Sequence, residues 1–348
     1  MAIATTNSAG APAPIEERLD LAIRSGLLDG LHAVLVRRKG ETLLERCLGG
    51  LDEAWGRPLG HVAFDARTLH DLRSVTKSVT SLLYGIALER GMVADPASPL
   101  LEAFPQYADL RADPRRAGWR IEHALNMTLG TEWNEDLPYS DPRNSEIGME
   151  RSGDRYRFIL DRPLVEEPGE RWIYNGGATA LIGYLIERGT GLDLASFARE
   201  CLFDPLGISR FEWAAGSDGV LSAASGLRLS APDLLRIGEL MLARGVWNGR
   251  SVVPAEWIAR CLEPQATTSF GLGYSHQWYL SAQPLQGHEP RTTRMISAMG
   301  NGGQRLFVLP DYEASAVTFS GCYNRPDQWV NPTLLLQRLI LPSLAAYG

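Results

Sequence analysis

Asp71-Leu72-Arg73-Ser74-Val75-Thr76-Lys77-Ser78 opens a long apolar stretch that runs to Arg90 and stops at Gly91. Val75, Val79, Leu82, Leu83 and Ile86 recur at helical spacing, which predicts a buried amphipathic helix over 75–90 with a glycine stop. Ser74 and Lys77 stand three residues apart at its start, so they share a face and the amine can reach the hydroxyl. The start of a helix also offers partial positive charge and free N–H groups to a developing oxyanion. A serine nucleophile needs a base within hydrogen-bond reach, and a lysine can be that base.

Spacing alone is weak: with 23 serines and two lysines, chance puts a serine three before a lysine about one time in eight. Composition sharpens the reading. Of 34 basic residues only Lys39 and Lys77 are lysines, so this chain uses arginine wherever a generic positive charge serves. An arginine at 77 could not accept a proton, because its guanidinium stays protonated. The competing reading is a lysine snorkelling from a helix start.

Working outward, 15–25 reads as a helix, and 32–36 with 42–48 reads as a hairpin turning through Arg37–Glu41. From about 95 to 265 helical segments (179–187, 231–244, 254–262) alternate with Pro/Asp-rich loops. Strand patterns return at 274–280, 304–309 and 314–319, and a last helix spans 333–344. Strands at both ends and helices between predict one antiparallel sheet built from both termini, with a helical subdomain.

Asp71 to Gly91 resembles the nucleophile helix of the class C β-lactamase-like serine hydrolases. That family includes β-lactamase-type esterases, penicillin-binding-protein relatives and 6-aminohexanoate-dimer hydrolases. Pro168-Gly169-Glu170-Arg171-Trp172-Ile173-Tyr174-Asn175-Gly176 is similar to its P-G-x-x-x-x-Y-x-N segment, which makes Tyr174 the second proton-transfer residue by resemblance. Which of Lys77 and Tyr174 is the formal base stays open. Gly176 stands where β-lactamases carry an asparagine that holds the substrate amide. The neighbouring Asn175 is carried as a substrate-binding candidate, although its side chain is expected to point elsewhere.

Ala298-Met299-Gly300-Asn301-Gly302-Gly303-Gln304 lies where β-lactamases carry K-T-G, with no lysine and no hydroxyl. Its G-x-x-G-Q form is similar to that of the family's amide hydrolases and many esterases. The resemblance implies an oxyanion hole from the Ser74 and Asn301 N–H groups, with Gly300 and Gly302 near substrate. Tyr139 lies in a loop that the family places over the acyl pocket; packing on Trp133 is the equal alternative. The G-L-R-x-S-x-x-D-L pattern at 226–234 and G-Y-x-x-x-W at 273–278 extend the likeness over nearly the whole chain.

The resemblance implies an α/β (α+β) fold, β-lactamase/transpeptidase-like. An α/β subdomain is expected over 15–95 and 266–348, a mostly helical one over 96–265, and a flexible N-terminus over 1–14. The implied chemistry is cleavage of a small carboxylic ester through an acyl-enzyme. A linear-amide hydrolase, a weak β-lactamase and a non-catalytic binding module on the same scaffold are the alternatives. Losing the K-T-G lysine argues against β-lactams, leaving Arg291 and Arg294 as carboxylate-binding candidates.

Net charge of −7 without a basic stripe argues against nucleic acid. No run of ~20 apolar residues suggests a membrane span, and Met1–Pro14 lacks the basic and apolar regions of a secretory signal. A cytoplasmic monomer or homodimer is therefore expected. Cys47, Cys201, Cys261 and Cys322 form no C-x-x-C pair. The six histidines show neither H-E-x-x-H nor close spacing, so neither a metal nor another cofactor is expected and each histidine reads as surface or satisfied core.

Overall fold

The computed structural model describes residues 14–285 and 291–346. Apart from Pro14, the N-terminus expected to be flexible lies outside them, as does His288. The chain divides into two compact units: residues 1–73, 228–243 and 281–348, and residues 74–227 with 244–280. The sequence reading had grouped the helix after Ser74 with the sheet; here it falls with the helices.

The first unit is built on antiparallel strands β1 (Leu31–Arg38), β2 (Glu41–Cys47), β3 (Trp278–Leu285, of which the end from Ser281 belongs here), β4 (Arg291–Gly300), β5 (Gln304–Leu309) and β6 (Ala314–Ser320). They run in the order β3-β4-β5-β6-β1-β2. Register pairs Leu35 of β1 with Val317 of β6, and Val317 in turn with Leu306 of β5.

Alternation sends Val34, Val36, Phe307, Leu309, Ala314 and Ala316 to one face, where they pack on Leu19 and Ala22 of the helix Ile15–Arg24 and on Leu335, Leu339 and Leu344 near the C-terminus. The opposite face carries the helix Ala231–Leu242. Its Gly238 lies so close that an added Cβ would meet Leu306 Cδ1 at 2.8 Å. With both faces covered, β5 and β6 are buried along their whole length. Burial on both faces removes strict polar/apolar alternation: Leu306–Leu309 is apolar throughout, and β6 carries only the small polar residues Ser315, Thr318 and Ser320 among its apolar ones.

In the second unit the helix Val75–Glu89 is buried from Val75 to Ala87. Its polar side chains are satisfied: Ser78 Oγ donates to the Gln277 carbonyl at 2.7 Å and Thr80 Oγ1 to the Ala223 carbonyl at 2.8 Å. Gly85 lets the indole of Trp257 lie on the helix backbone. The helix Gly176–Thr190 packs beside it.

Several elements differ from the sequence expectation. The single strand expected over 274–280 is a hairpin, Gly273–Ser275 and the start of β3, turning at His276 and Gln277 with φ of 46° and 69°. Two left-handed residues are the usual geometry of a two-residue hairpin turn, normally filled by Asn-Gly. Here the cost is offset by hydrogen bonds: His276 N–H donates to Asn126 Oδ1, and Gln277 N–H and Nε2 both donate to the Leu125 carbonyl. The hairpin Gly49–Ala54 with Arg57–Ala63 and strand β4 also had no sequence expectation.

Candidate active site

Ser74 immediately precedes the Val75–Glu89 helix with helical backbone angles (φ −66°, ψ −7°). A serine in this place usually turns its hydroxyl onto N–H groups of the first turn. This one makes no such bond. Its Oγ lies 3.0 Å from Lys77 Nζ and 2.6 Å from the Tyr174 phenol oxygen.

Arg73, one residue earlier, is left-handed (φ 49°), uncommon for a residue with a side chain. Asp71 holds the turn: Oδ1 accepts from the Arg73 N–H at 3.2 Å, and Oδ2 lies 3.3 Å from Arg73 Nε. The guanidinium also pairs with Glu53 and sits 5.0 Å above the Tyr323 ring. The strained residue beside Ser74 is thus fixed by charge on several sides.

Lys77 is 2% exposed. Besides Ser74, its Nζ donates to the Ala224 carbonyl at 3.0 Å and lies 4.9 Å from the centre of the Tyr174 ring. A lysine snorkelling to water is excluded by this placement. Ala224 is itself held between Ser222 and Ser225, whose hydroxyls lie 3.1 Å apart, and Ser225 Oγ donates to Glu146 Oε1 at 3.0 Å.

Tyr174 is delivered by the extended segment that enters the Gly176–Thr190 helix. Asn175 caps that helix: its Oδ1 accepts from the Ala178 N–H at 2.9 Å, and its Nδ2 donates to Thr131 Oγ1 at 3.3 Å. Both ends of the Asn175 amide, a substrate-binding expectation from the sequence, are thus bonded within the protein. A helix start needs an acceptor, and this buried amide supplies it.

Sequence reasoning missed Glu135. Its Oε1 accepts from the Gly176 N–H and from Trp133 Nε1, each at 2.6 Å, while Oε2 is buried and has no partner among the described residues. Burial first, and then the charge of Glu146, push this carboxyl up; Lys77 and the two N–H donors pull it down; the balance lies at about 7. No motif marks such a residue. Only the absence of a side chain at Gly176 hints at it, since a Cβ there would meet Glu135 Oε1 at 2.8 Å.

Tyr139 is half-buried in the loop between Glu135 and the helix Ser145–Glu150, a loop closed by Asn144 Nδ2 donating to the Leu137 carbonyl at 2.7 Å. Gly300, Asn301 and Gly302 lie in the other unit, at the turn from β4 to β5. A Cβ at Gly300 would come within 2.3 Å of the Leu72 carbonyl, so this glycine lets the strand end touch the backbone leading into Ser74. Gly302 is left-handed (φ 88°) and its N–H donates to Gln328 Oε1 at 2.7 Å. Asn301 Oδ1 accepts from the Asn324 N–H at 2.9 Å. Arg294 is committed to Asp311 through Nε at 2.9 Å and a second guanidinium nitrogen at 2.7 Å, which removes it as a carboxylate binder; Arg291 is exposed.

His32 and His70, 38 residues apart, meet in the first unit, with Nδ1 of the former 2.9 Å from Nε2 of the latter. His70 Nδ1 lies 3.1 Å from the Asp71 carbonyl oxygen. A carbonyl only accepts, so His70 carries its proton on Nδ1 and takes one at Nε2 from His32 Nδ1. Burial pushes both rings down to about 3.

A buried amine and a phenol thus converge on one serine hydroxyl at the start of a buried helix. A sequence profile of the beta-lactamase family matches residues 29–333, and the chain belongs to that family. It is 28% identical to the 6-aminohexanoate-dimer hydrolase of Paenarthrobacter ureafaciens over 273 residues, 72% of this chain and 66% of that protein. It is 30% identical to esterase EstB of Burkholderia gladioli, over 58% of this chain and 51% of that one. The chain thus spans about two thirds of the first relative's length and half of the second's. Its fold matches that of EstCE1, a hydrolase with promiscuous acyltransferase activity, with a TM-score of 0.71 at 18% identity, covering 96% of this chain and 98% of that one. The β-lactamase/transpeptidase-like fold, an antiparallel sheet with helices, is the one expected from the sequence. Among the described residues no helix is long and apolar enough to cross a membrane.

Proposed function

We propose that this protein is a serine hydrolase that cleaves a small carboxylic ester through an acyl-enzyme on Ser74. The observation that carries the reading is the convergence of Lys77 Nζ and the Tyr174 phenol on Ser74 Oγ, at 3.0 and 2.6 Å. Ser74 Oγ attacks the substrate carbonyl carbon as its proton passes to Lys77 or Tyr174. The N–H groups of Ser74 and Asn301 are the proposed donors to the oxyanion. The same pair returns the proton to the leaving alcohol, and water then releases the acid.

Relatives named as an esterase, a 6-aminohexanoate-dimer hydrolase and a hydrolase with promiscuous acyltransferase activity support acyl transfer as the common chemistry. A second reading, hydrolysis of a linear amide, is favoured by the 28% likeness to the 6-aminohexanoate-dimer hydrolase. Tyr139 is proposed to face the acyl group in either case.

The test is a side-by-side assay of p-nitrophenyl esters from acetate to octanoate, a linear ω-amino amide and nitrocefin. Ester turnover at least tenfold above the amide supports the first reading; the reverse ranking establishes the second. A chain that a fluorophosphonate probe leaves unmodified at Ser74 is no serine hydrolase.

A further inference from the structure

We propose that Glu135 is a positioning residue of the Ser74–Lys77–Tyr174 cluster: its carboxylate anchors the segment that delivers Tyr174 and balances the positive charge that builds on Lys77 when Ser74 gives up its proton. The proposal rests on the reading of Ser74 as the nucleophile.

The anchoring is geometric. Glu135 Oε1 takes the first N–H of the Gly176–Thr190 helix, two residues after Tyr174, and is itself steadied by the Trp133 indole. A helix start favours a carboxylate there. Gly176 leaves room for it, because an added Cβ would meet Oε1 at 2.8 Å and shift the carboxyl. Its second oxygen, Oε2, is buried and accepts nothing among the described residues. A lone pair enclosed without a donor is costly for a group with a purely structural task. A carboxylate electrostatically linked to Lys77 has a reason to tolerate it, because each proton leaving Ser74 for Nζ creates a cation in an enclosed site.

The charged and titratable groups acting on Glu135 are Glu146 from the helix Ser145–Glu150 and Lys77 from the helix Val75–Glu89; the phenol of Tyr274 in turn feels Glu135. Tyr174 lies against Lys77. Glu146 raises Glu135 and Lys77 lowers it, so the carboxyl is poised where a modest pH change alters its charge. Below that point Glu135 is neutral, and the proton transferred from Ser74 meets no counter-charge. Acylation should therefore fall on the acid side.

The experiment measures the rate of fluorophosphonate labelling of the full chain from pH 5 to 9. In that reaction Ser74 Oγ bonds to phosphorus, fluoride leaves with the P–F bond electrons, and the Ser74 proton passes to the Lys77–Tyr174 pair. The wild type should slow by roughly 10–100-fold on passing from above to below about 7. Glu135→Gln keeps an acceptor for the Gly176 N–H, and should hold the low acid-side rate across the whole range while melting near the wild-type temperature. Glu146→Gln, which keeps an acceptor for Ser225, should move the acid limb to lower pH and decides the matter if Glu135→Gln does not fold. A wild-type rate in Glu135→Gln, or an acid limb that stays in place in Glu146→Gln, overturns the proposal. Equal labelling of Ser74→Ala and wild type overturns the nucleophile reading instead.

Discussion

The Tyr174 phenol oxygen lies 2.6 Å from Ser74 Oγ, although 100 residues of chain separate them. A second contact on the same hydroxyl comes from Lys77 at 3.0 Å. In the proposed mechanism the three act on one proton, so their removal should not be additive. Ser74→Ala, Lys77→Arg and Tyr174→Phe are each expected to lower kcat by roughly 10³-fold or more, and the double variants little further. Steady-state kinetics on whichever ester proves best checks this. Tyr174→Phe at near-normal kcat would remove the phenol from the proton path.

The two lysines make a matched pair of tests. Lys39 sits at the β1–β2 turn, more than half exposed, with Nζ 3.3 Å from Glu313 Oε2. An exposed ion pair contributes ~0–1 kcal/mol and accepts arginine as readily as lysine. Lys39→Arg is therefore expected to leave both melting temperature and turnover unchanged. Lys77 is enclosed and contacts the hydroxyl, a carbonyl and a ring. Arginine there supplies a positive charge but cannot accept a proton. A Lys77→Arg protein that works as well as Lys39→Arg would show that charge alone is what position 77 supplies.

Part of this site was readable in the sequence because it is local. Ser74 and Lys77 are one helical turn apart, and the scarcity of lysine singles out the pair. Tyr174 needed a resemblance, because a tyrosine at a helix entrance carries no chemistry of its own. Glu135 could not be read: an acidic loop residue becomes notable only once burial strips its water and Gly176 lends it an N–H. The fold shows the same division. β5 and β6 were legible from Leu306–Leu309 and from the Ala, Val and Phe of 314–319, whereas β4 begins Arg-Thr-Thr-Arg, and the hairpin Gly49–Ala54 with Arg57–Ala63 is mostly exposed; neither carries an apolar pattern at its outset. The turn at His276 and Gln277 lacks turn residues because its partners come from Leu125 and Asn126, about 150 residues earlier.

Gly85 gives a test of packing in the helix that follows Ser74. Alanine is favoured over glycine in a helix interior by ~1 kcal/mol. An added Cβ, however, would lie 2.2 Å from Trp257 Cδ1 and Cγ in the buried interior. Overpacking of that kind costs ~1–3 kcal/mol, and an indole ring wedged in a core has little room to move. Gly85→Ala is expected to be net destabilising, read as a lower urea midpoint with an unchanged m-value. A raised midpoint would mean that Trp257 moves aside freely.

The His32–His70 pair predicts how stability depends on acid. Both rings are held at about 3 in the folded protein, mainly by burial, against about 6.5 in the unfolded chain. Between those values the unfolded chain binds protons that the folded one refuses, so stability is full above pH ~6.5 and falls as pH drops towards 3. Glu135 works in the opposite sense. Its raised carboxyl binds a proton in the folded state between the ordinary carboxylate range and about 7, which favours the fold on acidification. The buried and half-buried carboxyls Glu53, Asp71, Glu150 and Glu187 are raised too and act with Glu135, so the decline due to the histidines is read by comparing wild type with a variant between pH 7 and pH 4.5. His32→Asn retains an N–H donor for His70 Nε2 while deleting one titrating ring, and should flatten that decline. A variant whose melting temperature tracks the wild type across this interval would show that the ring of His32 is not what acid attacks, and that another buried group carries the loss.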